Sequence, residues 1–199
     1  MVSHYVLLIV LSRGDTMGDI RERLDNMKIE IQKEEFLKGE GLSNEVNIRM
    51  FCYDPQDEMV VRYFVDELLN EKLNCTIKKM DLYKVFLSIC EDRRILDRIP
   101  KLEEKRGKEF IEDYLKKSFD AKMFAEKINN EFNQEDILLL TGVGKVFPFV
   151  RVHSLLEALQ PYFINKPIIV MYPGTFDNHF VKLFNELKPN PYYRAFNMF

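Results

Sequence analysis

Apolar residues recur at helical spacing in Ile20, Leu24, Met27 and Ile31, and predict a helix over Met17 to Leu37. Thr16 and Asp19 form a weak capping box at its start, and Gly39 and Gly41 stop it. The period then shortens. Asn47 to Tyr53 reads as a strand, with Ile48, Met50 and Cys52 on one face and Phe51 and Tyr53 on the other. Apolar residues on both faces mark a central strand of a covered sheet. Asp54-Pro55-Gln56-Asp57 opens the next helix, with Asp54 as cap, Pro55 at the first turn and acids favouring the dipole. That helix continues through Val61, Phe64, Val65, Leu68 and Leu69.

A second strand is predicted over Cys75 to Met80, and a helix over Leu82 to Arg98 with Val85, Phe86 and Ile89 inward. Pro100 breaks it, Gly107 interrupts the charged region beyond, and Phe119 to Phe132 forms another helix. Residues 91–117 carry nearly balanced acids and bases, as a solvated helical face does. Asp136 to Thr141 is the third strand. A helix comes next through Phe147, Val150, Leu155, Leu156 and Leu159, with Pro148 tolerated near its first turn. Pro167 to Tyr172 is the fourth strand, turned by Pro173-Gly174; His179 to Leu187 reads as a helix and Tyr192 to Phe199 as a closing strand. Strands alternating with helices predict an α/β fold: three layers, Rossmann-like or P-loop-like, around a mostly parallel sheet of about five strands with helices on both faces.

The 199 residues suit one domain over residues 17–199. Lys and Arg number 29 against 32 Asp and Glu, so a net charge of −3 gives no global field for nucleic acid. Three cysteines (Cys52, Cys75, Cys90) and three histidines (His4, His153, His179) show no zinc spacing and suggest a reduced, cytoplasmic protein. His4 to Leu11 (HYVLLIVL) is far shorter than the roughly 20 residues of a membrane span. Its basic residue, Arg13, comes after the apolar run, opposite to a signal peptide. Residues 1–16 read as an extra edge strand or, in preference, a non-native leader.

Candidate chemistry gathers at strand ends. If the strands are parallel, the segments after Tyr53, Thr141 and Tyr172 share one sheet edge, the default ligand crevice of such folds. Thr141-Gly142-Val143-Gly144-Lys145 looks like strand, tight loop and helix. It lacks the longer cradle of a phosphate loop, and Val146 stands where a magnesium-binding hydroxyl belongs. The loop has two readings. Gly142, Gly144 and Lys145 hold the phosphates of a nucleotide, with Asp54 or Asp177 on a metal; or the glycines simply allow a tight turn and close packing. The second is simpler. Arg151 and His153, two apart, do not share a helix face. His153 is more simply a hydrogen-bonded structural residue than a base. Asp54, Asp57 and Glu58 are explained as caps without a metal. Arg151, Lys182, Lys188 and Arg194 could contact nucleic acid, a reading the acidic chain disfavours. No nucleophile elbow or assembled catalytic set is visible, so no catalytic residue, metal or obligatory cofactor is assigned.

Five segments in order carry a resemblance: Gly41 to Val46 (GLSNEV), Phe51 to Glu58 (FCYDPQDE), Thr141 to Leu159 (TGVGKVFPFVRVHSLLEAL), Ile168 to Gly174 (IIVMYPG) and Tyr192 to Phe196 (YYRAF). Together they resemble the BrxB family of bacteriophage exclusion (BREX) defence systems, from about Met17 to Phe199. The resemblance implies a small cytoplasmic component of an antiviral complex, with the alkaline-phosphatase-like protein PglZ and an adenine methyltransferase as partners. It implies no catalytic residues. The chain departs from the family pattern at Thr175, where an acid often comes after Pro-Gly, and at Pro189 and Pro191. The function expected is a non-enzymatic adaptor that contacts DNA only through its complex. Its candidate binding surface comprises Asp54, Asp57, Arg151, His153, Asp177 and Arg194.

Overall fold

The computed structural model describes residues 16–39, 47–176, 180–188, 190–191 and 196–198. Strands β1 (Ile48–Tyr53), β2 (Ile77–Asp81), β3 (Ile137–Thr141) and β4 (Ile168–Phe176) pair in parallel. With β7 (Phe196–Asn197) parallel to β1, the order across the sheet is β2-β3-β4-β1-β7. Beyond the end of β1, β4 continues and pairs antiparallel with β5 (Phe180–Leu183), which pairs with β6 (Asn190–Pro191).

Helices α1 (Thr16–Glu30), α2 (Glu34–Lys38) and α3 (Glu58–Leu68) cover one face of the sheet. The other face carries α4 (Leu82–Asp92), α5 (Ile99–Arg106), α6 (Lys108–Ser118), α7 (Ala121–Glu131), α8 (Val143–Val146) and α9 (Val152–Leu159). The connection from β1 to β2 crosses the sheet one way, and those from β2 through β3 to β4 return. Crossovers of one right hand in opposite directions must use opposite faces, which is how the helices divide.

Side-chain alternation sets the two cores. Ile48, Met50 and Cys52 of β1 pack into the α4–α9 layer, while Phe51 and Tyr53 pack under α1 and α3. The same split sends Leu138 and Leu140 one way and Ile137 and Leu139 the other. Ile20, Leu24, Met27 and Ile31 are at most 1% exposed, so the predicted α1 stripe is buried along its length. Burying each such side chain contributes roughly 1.5–3 kcal/mol. The expected α/β architecture with a mostly parallel sheet is the one observed.

Several boundaries differ from expectation. The first helix divides: α1 ends at Glu30 and α2 resumes at Glu34, closed by Gly39 at φ 65°. The helix predicted to Arg98 stops at Asp92, and Pro100 lies in the first turn of α5, where a missing N–H costs no helical hydrogen bond. After β3 the helix is also broken. Phe147 is extended (ψ 135°), as a residue before proline prefers, so Pro148 lies between α8 and α9 rather than in a first turn. Pro173-Gly174 does not turn the chain, and the helix predicted over His179 to Leu187 is instead strand β5 and then a turn. Gly174 permits this because a Cβ there would overlap the Lys182 carbonyl. Of the predicted closing strand, β7 is present; Tyr192 to Arg194 and residues 1–15 lie outside the described residues.

Candidate functional site

Parallel pairing brings the C-terminal ends of β1, β2, β3 and the middle of β4 to one edge. The glycine loop stands there. Gly142 adopts φ 74°, a left-handed backbone, and a Cβ on it would lie 2.6 Å from Asp81 Oδ1. Gly144 lies under the Phe184 ring, which a Cβ would overlap. Gly142 is held to glycine by its left-handed backbone and the end of β2, while Gly144 leaves room for the Phe184 ring in the turn after β5. Phe184 lies over the loop as a consequence of β4 continuing into the antiparallel hairpin.

Lys145 projects from α8 and its Nζ donates to Asp81 Oδ2 at 3.1 Å. Asp81 also caps α4, its Oδ1 accepting from the Tyr83 N–H at 2.9 Å. Burial alone would raise the Asp81 carboxyl. The Lys145 hydrogen bond and charge, with the Tyr83 and Lys84 backbone N–H groups, outweigh burial and hold it below the usual carboxylate range. Sequence reasoning missed Asp81 as a functional residue. Its signal in the sequence is an aspartate between a strand and an apolar-periodic helix, the pattern of an N-cap.

A cavity of about 280 Å³ opens on the loop itself, lined by Pro55, Glu58, Arg62, Gly142, Gly144, Lys145 and Phe184 among others. Two more flank the loop. One, of about 310 Å³, opens between α3 and the ends of β2 and β3. Glu58, Asp66 and Asp81 line it together with Arg62, Lys79, Lys84 and Lys145, so its charges largely offset one another. The Tyr53 hydroxyl donates to Glu58 Oε2 at 2.6 Å there; burial first, and then that bond, push the phenol up. Lys79 is paired with Asp66.

The other cavity, of about 420 Å³, lies between α8, the start of α9, the end of β4 and β5. Its walls are Val143, Val150, Val152, Tyr172 and Leu183, all buried. Arg151 and His153 both line it. The expectation that they point apart fails because Arg151 is the extended residue (ψ 133°) before α9, not part of its turn. Burial lowers the His153 imidazole, Glu157 opposes this and Arg151 adds to it, so the ring is more readily neutral than an ordinary histidine.

Among the other expected residues, Asp54 Oδ1 accepts from the Gln56 N–H at 2.9 Å and caps the 3-10 turn Pro55–Asp57, in which Asp57 sits. Asp177 and Arg194 lie outside the described residues. Among the described residues, no three His, Cys, Asp or Glu are grouped to hold a metal ion, and no helix is long and apolar enough to cross a membrane.

Residues 78–198 match the family model described as "BREX protein BrxB". A BREX protein BrxB of Bacillus cereus (strain H3081.97) is 36% identical over 189 residues, covering 92% of this chain and 98% of that protein. One of Escherichia coli O9:H4 (strain HS) is 28% identical over 183 residues, covering 88% and 90%. No solved structure matches. With a family model spanning most of the sheet and its crossovers, and a relative similar over nearly its whole length, the chain belongs to the BREX protein BrxB family.

Proposed function

We propose that the chain is a non-enzymatic adaptor within a BREX phage-defence system, docking the phosphatase-like component PglZ and the adenine methyltransferase in the cytoplasm. Family membership supports the defence role. The observation that carries the adaptor reading is the commitment of the glycine loop. Lys145 is held by Asp81, and the two charges cancel where a phosphate would need a net cation. What remains is the start of α8, four residues long, and a helix end stabilises an exposed anion by roughly 0.3–1 kcal/mol. Micromolar nucleotide affinity needs about 8 kcal/mol. Gly142 and Gly144 answer to Asp81 and Phe184, so their presence requires no ligand.

Co-expression with PglZ and with the methyltransferase, then affinity capture and size exclusion, tests the reading. A stable complex with either is the expected result. Separate elution at micromolar concentration counts against it. Calorimetry with ATP, GTP and dinucleotides is expected to be silent; binding that weakens in Lys145→Ala, or turnover lost in that variant, would replace the adaptor by a nucleotide-dependent protein.

A further inference from the structure

Met59 (70% exposed), Tyr63 (69%) and Ile29 (60%) are three of the four large apolar side chains that stand at least 60% exposed among the described residues. All three lie on α1 and α3, while the fourth, Ile164, lies in the loop between α9 and β4. Single exposed apolar side chains need no explanation, but a concentration of them on one layer marks an interaction surface. Met59 and Tyr63 are one turn apart and share a face of α3. Between them and α1 runs a groove of about 490 Å³, floored by buried Leu24 and half-buried Val60 and Phe64. Arg23 donates to the Cys52 carbonyl at the end of β1, and Lys28 pairs with Glu71 beyond the end of α3. The two helices therefore run side by side in the same direction, and Met59, in the first turn of α3, puts one end of the groove beside the C-terminal ends of the strands.

The charges around this groove are acidic in balance. Asp25 and Glu67 line it, and Glu22 adds a third acid on the outer side of α1. All three are exposed and make no ion pair or side-chain hydrogen bond among the described residues. The neighbouring Glu71 and Asp66 are already neutralised by Lys28 and Lys79. Arg21 is the one base among the described lining residues, and Arg62 turns instead to the cavities at the glycine loop. A second copy of the chain would set these acids against one another. A basic partner would satisfy them.

We propose that the groove between α1 and α3 is the docking site for a basic amphipathic helix of a partner protein. The inference rests on the adaptor reading and assigns it a surface. A groove between two aligned helices receives a third helix, whose apolar residues three and four apart match the spacing of Met59 and Tyr63. Those anchors reach Val60 and Phe64, and Lys or Arg beside them meets Asp25 and Glu67. Buried anchors dominate interface energies, while the charges steer approach and fix register.

The test uses the full chain, co-expressed with PglZ and separately with the methyltransferase, with nuclease present throughout. One variant carries Met59→Lys with Tyr63→Lys, a second Asp25→Lys with Glu67→Lys, and a control Ile164→Lys. Every substituted side chain is exposed, circular dichroism checks the fold, and Ser, or Asn and Gln for the acids, serve if a Lys variant does not fold. The expected result is that wild type and the control retain one component, and that both groove variants retain it at least about tenfold more weakly at roughly 0.15 M salt. Overlapping peptides of the retained component then identify the segment, which is expected to be helical with Lys or Arg beside its apolar residues; an acidic segment overturns the proposal. Equal retention by both groove variants overturns this site and leaves the adaptor reading standing. Loss confined to one of them removes either the apolar anchor or the charge, and the proposal with it. Wild type that self-associates in size exclusion, with the Met59 and Tyr63 variant monomeric, makes the occupant a second copy and overturns a basic partner. Failure of wild type to retain either component removes the adaptor reading and this inference with it.

Discussion

Gly142→Ala tests whether the loop is architecture. Alanine at φ 74° carries the left-handed penalty of about 1–2 kcal/mol. Its Cβ also arrives 2.6 Å from Asp81 Oδ1, well inside contact distance. Asp81 cannot move without consequence, because the same carboxylate caps α4 and holds Lys145. A lost cap costs about 1 kcal/mol. The ion pair, with the Lys145 side chain 41% exposed, adds only about 0.2–1 kcal/mol after solvent screening. Together these give about 2–4 kcal/mol, or a fall in Tm of roughly 5–15 °C for a domain of this size. Urea denaturation of wild type, Gly142→Ala, Asp81→Ala and the double variant measures both the loss and its cause. In the Asp81→Ala background only the backbone penalty remains, so the two substitutions should be non-additive by about 1–2 kcal/mol. A Gly142→Ala protein within about 0.5 kcal/mol of wild type, or strictly additive variants, would refute the reasoning.

The same geometry sets three further outcomes. Gly144→Ala should cost less than Gly142→Ala, about 1 kcal/mol, because the obstructing atoms are the far end of the 37% exposed Phe184 ring, which can swing aside; a larger loss in denaturation would contradict this. Lys145→Ala should lower stability by about 0.5–1 kcal/mol near neutral pH. The Asp81 pKa is depressed in the folded state, so its stabilisation is present above the unfolded carboxyl pKa and is lost as pH falls through the folded one. The two proteins should therefore converge in acid, and a gap that persists at the lowest pH would contradict the assignment. Burial pushes the Cys52 thiol up to about 12 and the Cys90 thiol up to about 11, and also raises Cys75. All three should react slowly with a thiol reagent at pH 8 until the protein is unfolded; rapid native labelling of Cys52 would show that β1 is not covered.

The parts of the fold legible in the sequence are those governed by one period over a long enough run. The α1 stripe and the two-sided alternation of β1 fall in this group, as does Asp54-Pro55 at the start of a helical turn. The β4–β5 extension was illegible because Pro and Gly are also the commonest turn formers, and Phe180 to Leu183 is too short to separate strand from helix by period. The site was legible only as a place. Parallel strands fixed the edge, but the Lys145 partner lies 64 residues away at the end of β2, where no local spacing rule reaches. Helical spacing would separate Arg151 from His153, whereas the proline-enforced extension at Phe147 delays the helix and brings them to one cavity.

An α/β sheet whose crossovers reverse direction leaves a crevice beyond its strand ends, and ligands commonly occupy it. In this chain β4 does not stop at that edge. It continues into the β5 hairpin, and the turn after β5 sets Phe184 over Gly144, while Asp81 takes the lysine that a phosphate would need. The protein's own chain thus divides the crevice into a charge-balanced cleft on the α3 side, a small cavity over the glycine loop and an apolar-walled cavity on the α9 side. A hairpin laid across a ligand crevice narrows it and adds surface at the edge where loops from several strands already converge. Under the adaptor reading proposed above, a docking surface at this edge needs the least new structure, because the rigid sheet beneath fixes its geometry and only the strand extension above it has to be built.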